Sequence, residues 1–348
     1  MEKPRLALGS PMAEPYLSQL EALCQITPVS QLCTPGVWPP EAAFRNTCLG
    51  YDIVVVEADR RKLDGMSPTG NHQGVIAQAA AQEYVAAACK KLGIPLFYTP
   101  GRNAQSVAEY TMTLMLMLQK HIQRAMKGMA TGAFLDAPVA DIYDLPPITD
   151  VTWMNERVNV YAMLPLGEEL YGRTLGLIGY GAIGRRVAKM ALAFGMRVMV
   201  YDPYCDPRAV EDAGAKFSSL EETLGAADIL SIHLPVTKET TGMVNESWFA
   251  RMKDGAKLIN TARAAVVDQR AMLQALESGK LAGAAVDVMW IEPCPANHPF
   301  LSMEQVIVLP HQAGATVDID RWQSAMVLEE VKRFLAGQPL QNPFPRQA

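Results

Sequence analysis

The segment that most constrains this chain is the apolar run Thr174-Leu175-Gly176-Leu177-Ile178. It passes directly into Gly179-Tyr180-Gly181-Ala182-Ile183-Gly184 and then into a helical pattern from Ile183 to Phe194. A lone G-x-G-x-x-G says little, but a strand before it and a helix after it supply a mechanism. Gly179 permits a tight turn, Gly181 lets the backbone approach a pyrophosphate, and Gly184 lets helix and strand pack closely. The helix start, with Ala182 and Ile183, offers free N–H groups and a favourable dipole to phosphates.

The next strand, Arg197 to Tyr201, ends at Asp202, and 202 − 179 is 23 positions. An acidic residue at that distance binds ribose hydroxyls and repels a 2′-phosphate, which favours NAD over NADP. Arg197 and Arg208 are near enough in sequence to leave some NADP use open. Strands follow at Ile229–His233, Lys257–Asn260, Ala284–Val288 and Val306–Leu309, with helical patterns between them such as Arg270–Ser278. Such alternation implies a parallel, doubly wound sheet. Upstream, Tyr51–Val56 reads as a buried strand, Val75-Ile76 as a short one, Glu83–Lys91 as an alanine-rich helix and Leu96–Tyr98 as a third strand. A long helix capped by Asn103 is expected to run to about Lys127, with Met112, Met115 and Met117 as core or subunit-interface packing. The proline-bearing stretch from 128 to 169 is too long for a structureless surface loop and reads as an arm that packs on a neighbour or a second subunit.

A length of 348 residues suggests about two domains. With 49% hydrophobic and 19% charged residues the chain is globular, and a net charge of −5 argues against nucleic acid or an anionic membrane as the main partner. The longest apolar stretch, around Met112–Leu118, is far short of the roughly 20 residues of a membrane span. The N-terminus leads into Ser10, Pro11 and Glu14 without an apolar signal core, so a soluble cytoplasmic protein is expected. The 6 cysteines lack any C-x-x-C pair, which fits a reducing compartment and no metal site.

Of 5 histidines, His233 and His311 stand at carboxyl ends of expected strands, where open α/β sheets place ligands. Arg263 lies just past the strand ending at Asn260, and Glu292 just past the one around Val286. Three ionisable groups at three strand ends form the set that interconverting a 2-hydroxy and a 2-oxo acid requires: a cation for the carboxylate, a proton carrier for the oxygen, and a carboxylate beside that carrier. Cys294 reads as a small filler rather than a redox group, and Trp290 as either packing or a lid on the substrate.

From about Pro100 to Pro343 the chain resembles the D-isomer-specific 2-hydroxyacid dehydrogenase family. The resemblance is carried by Gly101–Glu109, Leu175–Gly184, Ile232–Thr237, Ile259–Asp268, Val286–Pro293 and Leu309–Thr316. It implies His311 as general acid/base, Glu292 as the partner holding the imidazolium, and Arg263 as the clamp on the substrate's carboxylate and carbonyl. It further implies Asp287 near the nicotinamide, Thr240 and Pro235 lining the adenosine side, and His233, Thr261 and Ala262 in the cofactor wall. The implied fold is α/β with two doubly wound parallel-sheet domains, a Rossmann cofactor domain (104–314) inserted into a flavodoxin-like substrate domain (1–103 and 315–348), with catalysis in the cleft. Homodimerisation is the family habit, which gives the 128–169 arm a role.

The chain departs from the family where a glycine-rich loop holds the substrate carboxylate. By spacing, that loop falls at Gln78-Ala79-Ala80-Ala81-Gln82-Glu83. Alanine keeps its N–H but makes positive φ costly, so Ala79, Ala80 and Ala81, with Asn103, stand as substrate candidates of altered geometry. The loop Glu57-Ala58-Asp59 after Val56 disfavours a phosphorylated substrate, although Arg60, Arg61 and Lys62 lie close by. The alternative to an enzyme is a dinucleotide-sensing, corepressor-like binding protein without turnover. Formate dehydrogenase shares the fold but resembles a pattern with glutamine in place of Glu292.

Overall fold

The structure is a computed structural model that describes residues 2–9, 12–28, 51–56, 97, 99–141, 143 and 153–343. The chain divides into two compact units, Met1–Ser106 with Gly314–Ala348, and Val107–Ala313.

In the second unit, seven strands form one sheet: β4 (Thr174–Ile178), β5 (Arg197–Tyr201), β6 (Lys216–Phe217), β7 (Ile229–Ile232), β8 (Ala256–Asn260), β9 (Leu281–Val286) and β10 (Val306–Val308). Their order is β10-β9-β8-β7-β4-β5-β6, and every neighbouring pair is parallel. All residues of β4, β7 and β8 are buried, as strands covered on both faces must be. Side chains alternate between the faces. Leu175, Leu177, Ile229 and Ile259 pack with Val187, Ala188 and Met115 on one side. Ile178, Leu230, Ile232 and Leu258 pack with Trp248, Phe249 and Met272 on the other. The chain order reverses between β4 and β7, and their carboxyl ends are therefore the place for a ligand.

The single helix expected from Asn103 to Lys127 is instead two, Ala104–Gln119 and Ile122–Ala130. His121 lies between them in left-handed backbone, φ 51°. The apolar pattern runs through the break, and neither glycine nor proline marks it. The break is tertiary in origin: the Gln119 carbonyl accepts the Glu168 N–H at 2.7 Å, and the Gln119 side chain bonds the buried Lys257 ammonium. Met112 and Met115 are buried in the core.

Residues 142 and 144–152 of the expected arm lie outside the described residues. The rest is not structureless. Phe134 is buried, a short helix spans Val160–Met163 with Asn159 as its cap, and Asp136 pairs with Arg157 at 3.4 Å. Tyr143, Trp153, Met154, Tyr161, Met163 and Leu166 are exposed.

The first unit holds a parallel sheet in the order β2-β1-β3, formed by β1 (Arg5–Gly9), β2 (Gln25–Pro28) and β3 (Ile53–Val56). Leu6, Leu20, Ile53 and Val55 form its core with Val327, Leu328 and Val331 of the helix Ile319–Leu335. The sequence reading missed β1 and β2. The expected Val75-Ile76 strand, the Glu83–Lys91 helix, the loop at 78–83, and the segment with Arg60, Arg61 and Lys62 lie outside the described residues. Of Leu96–Tyr98 only Phe97 is described, bridged to Pro343.

Candidate active site

The turn after β4 is shaped by steric exclusion. Gly179 has φ +99°, and a β-carbon there would lie 2.5 Å from the His233 carbonyl oxygen. A β-carbon on Gly184 would lie 2.1 Å from the Gly179 oxygen. Gly181 differs, with no atom within 4 Å of such a carbon. Ala182 and Ile183 complete the turn, with Arg186 Nη1 donating to the Ala182 carbonyl at 2.6 Å.

Asp202 follows β5, and both of its carboxylate oxygens accept backbone N–H groups, from Tyr180 at 2.7 Å and Tyr204 at 2.9 Å. The residue expected to meet a ribose thus also braces the glycine turn. Arg197 does not belong to this end. It begins β5, and its Nε donates to Thr174 Oγ1 at 3.2 Å at the opposite edge of the sheet. Sequence distance misplaced it, because five residues of extended strand span about 17 Å. Arg208 is exposed near the start of a short helix capped by Asp206.

His233 follows β7, with Nε2 at 2.9 Å from Ser231 Oγ. Burial pushes its imidazole down to about 3, so the ring is neutral. Its buried Nδ1 has no hydrogen-bond partner, which is unusual for a buried polar atom. Further along the loop, Thr240 Oγ1 donates to the Pro235 carbonyl at 2.6 Å. The open space over Gly181 and the backbone of His233 packed against Gly179 fit a dinucleotide at this edge.

The neighbouring strands β8, β9 and β10 lead to the ionisable set. His311 lies past β10 with φ 58°, a conformation few non-glycine residues adopt. Its Nδ1 is 2.8 Å from Glu292 Oε2, and both side chains are 27% exposed. With a carboxylate as its partner, Nδ1 is the donor of this bond. Glu292 Oε1 accepts the Met289 N–H at 3.0 Å.

Asp287 is fully buried, and its two oxygens accept the Gln312 and Ala313 N–H groups at 2.9 and 2.8 Å. It holds the turn that carries His311. Burial pushes its carboxyl upward, while those N–H groups and His311 pull it down. The sequence reading placed Asp287 by the nicotinamide and did not foresee this brace.

Arg263 leaves β8 in extended backbone, with Nη1 donating to the Ala262 carbonyl at 2.6 Å. Thr261 is buried, and its hydroxyl lies 2.9 Å from Thr111 Oγ1. Thr111 itself donates to the Val107 carbonyl, so Thr261 is the donor and its hydroxyl proton is spent on packing. Asn103 is half-buried in the turn before the helix Ala104–Gln119, while Ala79, Ala80 and Ala81 lie outside the described residues. Trp290 is held by packing: Nε1 donates to the Val267 carbonyl at 3.0 Å and the ring stacks on His298. Burial pushes the Cys294 thiol up, away from thiolate reactivity. Among the described residues, no three His, Cys, Asp or Glu side chains gather to hold a metal, and no helix is long and apolar enough to cross a membrane.

The family model described as "D-isomer specific 2-hydroxyacid dehydrogenase, NAD binding domain" matches residues 149–313. A model for "RNA 2'-O ribose methyltransferase substrate binding" matches residues 40–85, of which only 51–56 are described. The glyoxylate reductase of Aeropyrum pernix is 35% identical over 291 residues, covering 83% of this chain and 81% of that protein. That of Thermofilum pendens is 31% identical over 343 residues, covering 97% and 93%. The D-3-phosphoglycerate dehydrogenase of Bacillus subtilis is 35% identical over 252 residues, and the match spans 72% of this chain but 43% of that longer protein. In fold, the chain is similar to the holo D-mandelate dehydrogenase of Rhodotorula graminis, with a TM-score of 0.71, 22% identity and coverage of 100% and 99%.

Proposed function

The chain belongs to the D-isomer specific 2-hydroxyacid dehydrogenase family of NAD-dependent enzymes, and on that premise we propose that it reduces a small 2-oxo acid to the 2-hydroxy acid, with His311, Glu292 and Arg263 serving the reacting end. The observation that carries this reading is the His311–Glu292 pair, 2.8 Å apart, on the same sheet edge as the glycine turn. When bound, the nicotinamide supplies the hydride for the carbonyl carbon.

His311 Nε2 gives a proton to the carbonyl oxygen as that oxygen gains charge, and takes it back in the oxidative direction. Glu292 accepts from Nδ1, which fixes the ring's tautomer and orientation and stabilises the imidazolium. Arg263 offers its planar fork to the substrate carboxylate. Gly179, Gly181, Ala182, Ile183 and Gly184 present backbone to the pyrophosphate, and Asp202 meets the ribose hydroxyls. His233, Pro235, Thr240, Thr261, Ala262 and Asp287 complete the cofactor side. Residues 1–103 with 315–348 serve as substrate domain and 104–314 as cofactor domain.

The substrate is an unphosphorylated 2-oxo acid of the glyoxylate kind, by similarity to the glyoxylate reductases above. A net charge of −5 fits a cytoplasmic protein with a small-molecule partner and neither nucleic acid nor membrane. The exposed aromatic and apolar residues of the arm, among them Trp153, Tyr161 and Leu166, support a homodimer that would cover them.

The test is oxidation of NADH and NADPH with glyoxylate, hydroxypyruvate, its 3-phosphate and pyruvate, alongside sedimentation. Turnover with NADH and an unphosphorylated acid is expected. NADH binding without turnover on any acid would replace this reading with a dinucleotide-sensing protein.

A further inference from the structure

Asn260 ends β8 and is 1% exposed. Its side chain spans the turn it introduces: Oδ1 accepts the Ala262 N–H at 3.0 Å, and Nδ2 donates to the Arg263 carbonyl at 3.0 Å. Its own carbonyl accepts the Asp287 N–H at 3.0 Å, tying the turn to the strand that braces His311. The Arg263 guanidinium folds back on the same turn through the Ala262 carbonyl. One amide therefore holds both sides of the 262–263 segment on which the guanidinium rests. The amide offers an acceptor and a donor on two separate atoms, one for each side of the segment. On the other side, Thr261 is fixed by its hydroxyl bond to Thr111.

We propose that Asn260 is a positioning residue for Arg263, setting the direction in which the guanidinium meets the carboxylate of a 2-oxo acid. The inference rests on the role given to Arg263 above. Guanidinium–carboxylate pairing is planar and bidentate, so a small rotation of the turn spoils alignment while leaving the charge in place. Misplacement by about 1 Å is enough to cost on the order of 100-fold.

The test compares Asn260→Asp, which keeps the size and the acceptor for Ala262 but sets an oxygen against the Arg263 carbonyl, with Asn260→Ser. Each is made alone and with Arg263→Lys. The readouts are kcat and KM for glyoxylate at saturating NADH, and the Kd for NADH by fluorescence. Each Asn260 variant is expected to raise the glyoxylate KM about tenfold or more and lower kcat/KM by roughly 30- to 100-fold, with the NADH Kd within about twofold. In the Arg263→Lys background the same change should cost less than about threefold, because the two residues act as one unit.

An unchanged glyoxylate KM, or losses that multiply in full in the double variants, would overturn the inference. So would loss of NADH binding in both Asn260 variants, which would make Asn260 a support of the cofactor wall around Ala262 and not of Arg263. An Arg263→Lys enzyme with undiminished kcat/KM would instead remove the role given to Arg263, whatever the Asn260 variants do.

Discussion

The turn after β4 and the turns after β8, β9 and β10 lie on one sheet edge but are built by opposite means. At the first, the backbone takes its course because side chains are missing: a β-carbon would strike the His233 carbonyl from Gly179 and the Gly179 carbonyl from Gly184. At the others, polar side chains impose the course. Asn260 holds the Arg263 turn, Asp287 holds the two N–H groups after His311, and Glu292 holds the His311 ring. A phosphate-binding turn needs exposed backbone donors and close approach, which glycine supplies locally. A proton carrier and a cation need fixed directions, which side-chain bonds within the turn and from neighbouring strands supply.

The largest expected break in this comparison is His311→Ala. It should lower kcat by about 100- to 10,000-fold while NADH binding, measured by fluorescence, stays within about twofold. Equal loss of both would mean that the two kinds of turn are not separable.

The glycine pair sharpens the steric side. Gly184→Ala should cost about 3 kcal/mol in denaturant unfolding, since backbone must move to admit the new carbon. Gly181→Ala should leave stability within about 0.5 kcal/mol and weaken NADH roughly tenfold by filling the approach to the phosphates. A stable, tightly binding Gly184→Ala protein would contradict the geometry.

Asp287→Asn keeps the shape but sets an amide N–H against a backbone N–H. A loss of about 1–3 kcal/mol in stability is expected, with glyoxylate turnover falling more than NADH affinity.

The effect of His233 is absent near neutral pH and appears only in acid. Its native pKa is held down to about 3, so the folded protein stays neutral there while the unfolded chain takes up a proton below about 6.5. The stability it contributes is present above that value and is lost as pH falls from about 6.5 towards 3, by at most about 1.4 kcal/mol per unit. His233→Gln should flatten the unfolding free energy between pH 6 and 4. Parallel slopes for the two proteins would exclude His233 as the source.

Strands β4, β5, β7, β8 and β10 were readable to within a residue or so at their ends; for β4, β7 and β8 the reason is burial on both faces, which favours near-continuous apolar runs. β9 was recognised but begins earlier than expected, at Leu281, and its small residues Ala282, Gly283 and Ala284 explain why. The edge strand β6 has two residues, and β1 and β2 are short, so pattern had little to act on. The break at His121 carried no local signal, since a bond from Glu168 imposes it. Arg197 seemed close to Asp202 until the strand carried it to the other edge.

At the site, Arg263, Glu292 and His311 could be selected from their places after strands, and the pairing of His311 with Glu292 came from family resemblance. The braces could not be read. Asn260 and Asp287 look like ordinary strand-end residues, and Thr111 like a helix threonine.

The sequence alone determined the alternation of strands and helices, the glycine turn and the residue types at the strand ends, because those depend on periodicity and on the absence of a β-carbon, both local properties. Tertiary structure alone decided which backbone groups Asp287 grips, the left-handed turn at His311 and the neutrality of His233. Those depend on desolvation and on bonds between segments far apart in the chain, and neither has a local signature.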